Sequence, residues 1–143
     1  MNRESGFTLL EILVVVLIIA VLATIVGVNV AKEPGRARVT AATAQIRVLT
    51  NALQLYRMDN GFIPSQQQGL RALCEPPSVP PLAPRYREGG YLETRNLPKD
   101  GWGNEYVYLV PGRSGEAYEI LSYGADGEPD GQGEAADISS STL

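Results

Sequence analysis

Gly6-Phe7-Thr8-Leu9-Leu10-Glu11 runs straight into Ile12-Leu13-Val14-Val15-Val16-Leu17-Ile18-Ile19-Ala20-Val21-Leu22, and this junction decides the architecture. Residues 12–31 are 20 consecutive positions without a charge. As a helix rising ~1.5 Å per residue, such a run reaches about 30 Å, the thickness of one bilayer core. A secretory signal peptide is the obvious rival, and three features speak against it. The apolar run exceeds an h-region, no small-x-small cleavage site with a polar start follows it, and Glu11 stands inside it.

Beyond the span, helical periodicity continues. Val39, Ala42, Ile46, Leu49, Leu53 and Tyr56 follow at steps of 3, 4, 3, 4 and 3, an apolar stripe on one helix face. Arg38, Arg47, Gln54 and Arg57 lie off it. The simplest object is one helix over 8–58, with a kink expected at Pro34-Gly35. Asp59-Asn60-Gly61 supplies a stop. Residues 67–73 can form a short helix, and 75–84, with five prolines, read as an irregular loop. Residues 105–110 and 117–123 are β-rich runs joined by Pro111-Gly112-Arg113-Ser114-Gly115, which predicts an antiparallel hairpin. Residues 90–92 offer a further short strand. The expected fold is α+β, with a long N-terminal helix packed by its second half on a small antiparallel sheet.

Charge and composition remove whole function classes. The chain has 12 Lys+Arg against 16 Asp+Glu, a net charge of −4. Residues 1–125 are nearly balanced, whereas 126–143 hold five acids and no base. No basic patch points to nucleic acid. The single cysteine, Cys74, allows no intrachain disulfide, and the absence of histidine removes the usual general base and nucleophile pairings. A membrane-anchored enzyme using the acidic loop therefore has no nucleophile–base pair behind it.

Two segments carry more than architecture. Gly6, a poor helix residue with accessible backbone directly before the apolar helix, suits a peptidase working at the membrane surface. A carboxylate within a membrane helix costs about 2–3 kcal/mol, so Glu11 calls for a partner or an escape to water. In a packed array of cleaved chains, Glu11 could neutralise the new Phe7 amine of a neighbour. Alternatively it snorkels to the interface.

The second segment is Asp126-Gly127-Glu128-Pro129-Asp130-Gly131-Gln132-Gly133-Glu134-Ala135-Ala136-Asp137. Its acids fall at loop positions 1, 3, 5, 9 and 12 with glycine at 6, close to an EF-hand loop but without flanking helices. Hard oxygen donors without His or Cys favour Ca²⁺ over zinc or copper. The other reading is a solvated acidic tail.

The motif Gly6 to Glu11 before an unbroken apolar helix resembles the signal of type IV pilins and type II secretion pseudopilins. Tyr56-Arg57-Met58-Asp59-Asn60-Gly61-Phe62-Ile63-Pro64, Gln68-Gly69-Leu70, Gly90-Tyr91-Leu92, Leu97-Pro98, Asp100-Gly101-Trp102-Gly103-Asn104 and Tyr123-Gly124-Ala125-Asp126-Gly127 resemble the major pseudopilins of the type II secretion system. The resemblance implies a leader at 1–6, a membrane and filament-core helix at 7–31, and a periplasmic head at 32–143 with a calcium loop at 123–137. It implies cleavage after Gly6 and N-methylation of Phe7 by a prepilin peptidase. A single-pass, inner-membrane subunit then polymerises with itself into a helical periplasmic pseudopilus that drives export of folded proteins. Minor pseudopilins and the inner-membrane assembly platform are its implied partners, and no enzymatic activity is expected. The calcium ligands implied are the Tyr123 carbonyl and Asp126, completed from Glu128, Asp130, Glu134 or Asp137. The acid expected seven residues after Asp126 is Gly133 here, and the family's early helix proline falls on Val28. Arg3 precedes the span while Lys32, Arg36 and Arg38 follow it, against the positive-inside tendency, so the periplasmic head rests on the resemblance. A pilin of a surface fibre and a minor pseudopilin are the rival readings. Many surface pilins close the C-terminal region with a disulfide, which this chain cannot form.

Overall fold

The computed structural model describes residues 6–30 and 33–143, and for 25–30, 33 and 34 the backbone alone. The chain divides into two compact units, one ending at Gly35 and one running from Arg36 to Leu143.

The first unit is built on α1, Leu9–Val30. Its described side chains, 9–24, are exposed without exception, because the helix is apolar all round and has no preferred face to bury. The backbone stays helical through Val28. No helix is long and apolar enough to cross a membrane among the described residues. The described side chains of α1 stop at Thr24, part-way along the uncharged run, so the span expected over 7–31 extends beyond them. Residues 31 and 32, through which the single expected helix would pass, also lie outside the described residues.

Helix α2 covers Glu33–Asn60. Pro34 falls in its first turn, where the missing N–H is one the helix leaves unpaired anyway, so the proline opens this helix. Within the second unit the predicted stripe is the core. Ala42, Ile46, Leu49, Leu53 and Tyr56 are buried, joined by Ala52 on the same face. Arg38, Arg47, Gln54 and Arg57 are exposed, as their positions off the stripe require. The helix stops where the turn chemistry placed it. Gly61 adopts φ +85°, and its N–H donates to the Arg57 carbonyl at 2.7 Å, a left-handed C-terminal cap.

The sheet has three antiparallel strands in the order β1 (Val107–Leu109), β2 (Glu119–Ser122), β3 (Ile138–Ser139). The first two form the expected hairpin, with Val107 opposite Leu121 and Leu109 opposite Glu119. Tyr108, Ile120 and Ile138 join the α2 stripe in one hydrophobic core, which makes the second unit an α+β head. The third strand is a correction. It comes from the tail, not from 90–92, because the Tyr91 N–H is taken by the Leu73 carbonyl at 2.8 Å. The Tyr91 ring turns inward instead, to within 5.2 Å of Tyr56 and 5.3 Å of Tyr86 between ring centres. The helix expected over 67–73 is shorter, a 3-10 turn over Leu70–Leu73, since Gly69 at φ +62° breaks any earlier start. The proline-rich loop is held by buried Gln68, whose amide donates to the Val79 carbonyl at 2.7 Å and the Pro81 carbonyl at 2.8 Å.

Candidate functional site

At the N-terminus, Gly6, Phe7 and Thr8 precede the helix. Gly6 is open to solvent, with nothing within 4 Å of where a Cβ would stand, and Phe7 is 76% exposed. Helix α1 begins immediately after Thr8, and the cause is visible. The Thr8 carbonyl accepts the N–H of Glu11 at 3.1 Å and of Ile12 at 3.2 Å, while its hydroxyl oxygen accepts the Glu11 N–H at 3.2 Å. Thr8 is thus the N-cap and Glu11 the third helical residue, the threonine and glutamate positions of a capping box. A carboxylate in the first turn also faces the positive end of the helix dipole. Glu11 is exposed and makes no ion pair among the described residues.

The acidic segment folds back on itself. The Ala125 N–H donates to the Glu134 carbonyl at 3.0 Å, which closes 125–134 into a loop. Asn104 ties its base down, donating from Nδ2 to the Gly124 carbonyl at 2.9 Å. Gly124 has to be glycine. It takes φ +68°, and a Cβ there would stand 2.7 Å from the Glu134 carbonyl oxygen and 2.9 Å from the Ala135 Cα. Tyr123 is half-buried, whereas Asp126, Glu128, Asp130 and Glu134 are exposed. Asp126 turns one oxygen inward along the loop to accept the Glu128 N–H at 3.1 Å. Asp130 holds φ +66°, a left-handed conformation that aspartate tolerates better than most residues. Asp137 is half-buried and stands apart from these four. One of its oxygens accepts from Arg113 at 3.5 Å, and the other, Oδ1, is buried without a partner. Among the described residues no three of the acids converge closely enough to hold a metal by carboxylates alone.

Two polar centres beside this loop escaped sequence reading. Asp100 is buried at 7% exposure. Its Oδ1 accepts the N–H groups of Trp102 at 3.0 Å and Asn104 at 2.8 Å, and its Oδ2 accepts the Ser122 hydroxyl at 2.6 Å. One side chain therefore sets the 100–104 turn, fastens it to β2, and so places Asn104 under the acidic loop. Glu119, 2% exposed within β2, takes three bonds from the Arg113 guanidinium group at 3.0, 3.2 and 3.3 Å, one from the Arg113 backbone at 2.9 Å, and one from the Ser139 hydroxyl at 2.6 Å. These bonds, led by the Arg113 side chain, outweigh burial and hold its carboxyl down to about 2. The signal was present in the sequence: an acid within a strand whose neighbours are apolar, six residues from an arginine in the turn.

Known proteins fit this picture. The family described as type II secretion system (T2SS), protein G, matches residues 29–141, and the prokaryotic N-terminal methylation motif matches residues 1–27. The chain is 46% identical to the type II secretion system core protein G of Escherichia coli K12 over 127 residues, which are 89% of this chain and 86% of that protein. With the core protein G of Vibrio cholerae it shares 45% identity over 139 residues, 96% and 92% of the two chains. The crystal structure of the major pseudopilin from the type 2 secretion system of enterohaemorrhagic E. coli superimposes with a TM-score of 0.68 at 36% identity. That match covers 80% of this chain and 96% of the other. The helix-on-sheet head, the methylation motif and these likenesses together place the chain in the protein G family of the type II secretion system, the major pseudopilins, which are structural subunits and not enzymes.

Proposed function

We propose that this pseudopilin is made as a precursor and cut between Gly6 and Phe7 by a prepilin peptidase, which then methylates the Phe7 amine. Residues 7–31 hold it in the inner membrane as a single pass with the head in the periplasm. It then polymerises with itself into the helical pseudopilus that pushes folded proteins across the outer membrane. Minor pseudopilins and the inner-membrane assembly platform are its partners in that process. The observation that carries this reading is the bareness of α1. Its described side chains are exposed from Leu9 to Thr24. Water does not tolerate such a continuous apolar cylinder, so lipid or sister helices must cover it. Glu11 at the head of that cylinder supplies the charge that a sister chain's Phe7 amine can meet.

The same reading assigns the 123–137 loop one Ca²⁺. The donor set fits a hard cation, being carbonyls and carboxylates only. The buried, unpartnered Asp137 Oδ1, the exposed carboxylate of Asp126 and the Tyr123 carbonyl are the donors we assign to it. Two carboxylates completed by carbonyls and water satisfy calcium without a third acid, and Glu128, Asp130 and Glu134 supply further oxygens. Bound there, the ion would offset the repulsion of five acids.

Deleting the gene in its host tests the function. Folded exoproteins should accumulate in the periplasm, and the intact gene supplied in trans should release them. Normal secretion by the deletion strain would overturn the reading. Retained secretion alongside loss of a surface fibre would favour the pilin reading. Intact-mass analysis of the membrane-extracted protein tests maturation, with a chain starting at N-methylated Phe7 expected and one still starting at Met1 decisive against it.

A further inference from the structure

Thr8, the N-cap of α1, lies one residue beyond the bond proposed for cleavage, and this spacing has a physical cause. A peptidase takes up its substrate as extended backbone, because a helix ties peptide groups into its own hydrogen-bond ladder. Gly6 and Phe7 stand outside the helix, exposed, and Thr8 sets the boundary by accepting the Glu11 N–H at 3.2 Å on its hydroxyl.

The sequence gives the helix few other places to begin. Between 9 and 23 there is no Ser, Thr, Asp or Asn, so a start that retreated into α1 would leave backbone N–H groups bare in an apolar run. Upstream, Ser5 is the next residue of the capping type. A helix capped there would take Gly6 and Phe7 as its first two residues. Thr8 has Glu11 three positions on, whereas Ser5 has Thr8, so the capping box favours the later start.

We infer that Thr8 is a positioning residue for maturation: its hydroxyl caps α1 and thereby keeps the Gly6–Phe7 peptide bond out of the helix, in the backbone form a peptidase accepts. The reaction itself is hydrolysis. Water adds across that bond, leaving a carboxylate on Gly6 and an amine on Phe7. The inference rests on the cleavage reading above and adds the residue that makes the bond available.

The test uses the full-length chain in lipid vesicles with purified prepilin peptidase, comparing initial rates of cleavage. Thr8→Val keeps the shape and loses the capping oxygen. Thr8→Ser and Thr8→Asn keep a capping oxygen, the second with a different shape. A cap shifts the helix-start equilibrium roughly fivefold, so Thr8→Val should be cut more slowly, by at most about fivefold, while the Ser and Asn variants stay near the unaltered chain. Carbon chemical shifts of labelled Phe7 should move toward helical values in Thr8→Val alone. Thr8→Val cut at the unaltered rate overturns the inference. So does Thr8→Asn cut as slowly as Thr8→Val, because the peptidase would then be reading the threonine itself. An unaltered chain left uncut after Gly6 overturns the cleavage reading instead.

Discussion

Glu119 lies inside the head with its oxygens shared among Arg113, Ser139 and, at 3.5 Å, Ser141. Held down to about 2 against an ordinary 4.5, it binds its proton less readily folded than unfolded. Its contribution to stability is therefore complete above pH about 4.5 and is lost as the pH falls toward about 2. Acid unfolding of the head should show this limb, and Glu119→Gln should flatten it; a variant with an unchanged acid profile would remove Glu119 as its source. Arg113→Ala should cost roughly 1.5–3 kcal/mol at neutral pH in denaturant titration, the range for a hydrogen bond to a charged group. Glu11 answers to a different environment. Glu11→Ala removes a carboxylate that an apolar surrounding penalises, so membrane insertion should be unharmed. Filament formation should fail for want of the charge opposite the neighbour's amine, and normal filaments by electron microscopy would rule the pairing out. Glu11 was conspicuous in the sequence because it breaks an apolar run. Glu119 was hidden because all four residues of β2 are buried, so no polar-out alternation marks the acid, and its partners come from the Arg113 turn and from β3.

At the level of elements, legibility followed the range of the interactions. The α2 stripe could be read because helical period is local, and Gly61 ended the helix where the turn residues stood. Leu49 and Leu53 are fully buried on that stripe. Replacing either with alanine should cost about 2–5 kcal/mol in the isolated head, whereas Gln54→Ala on the exposed face should stay within about 0.5 kcal/mol. Equal losses at 53 and 54 by thermal melting would deny that α2 presents one face to the core. The hairpin was readable for the same reason, two β-rich runs and a turn between them. The third strand was not. Ile138–Ser139 is two residues long, and no periodicity can announce so short a piece. It becomes a strand because the loop 125–134 closes and delivers it beside β2, with Ser139 bonded to Glu119. The segment 90–92 carried strand-forming residues, yet its backbone was claimed by Leu73 and its tyrosine by the aromatic cluster. Tertiary context overrode propensity in both cases.

On the scale of the whole molecule, the tail joins the head through the two-residue strand β3, at the end of the acidic loop. Asp126, Glu128, Asp130 and Glu134 lie exposed in that one loop and push apart, while Asp137 is paired with Arg113. Filling a site at about 100 times its Kd adds roughly 2.7 kcal/mol. Excess calcium should therefore raise the melting temperature of the head (residues from 36 onward) over that in chelator, and chelation should open the tail to protease. Asp126→Ala should remove the difference; equal melting with calcium and with chelator would leave a solvated acidic loop. The bare cylinder of α1 has a consequence of its own. Hydrocarbon tails and sister side chains are nearly equivalent solvents for leucine and valine. Moving a subunit from membrane to fibre therefore releases little free energy through its greasy surface. On the proposed function, the bilayer would then act as a reservoir at almost the same chemical potential as the polymer. Growth and disassembly would then be governed by the few polar groups at the helix head and by whatever work the cell supplies, and the greasy surface itself would not trap subunits in the fibre.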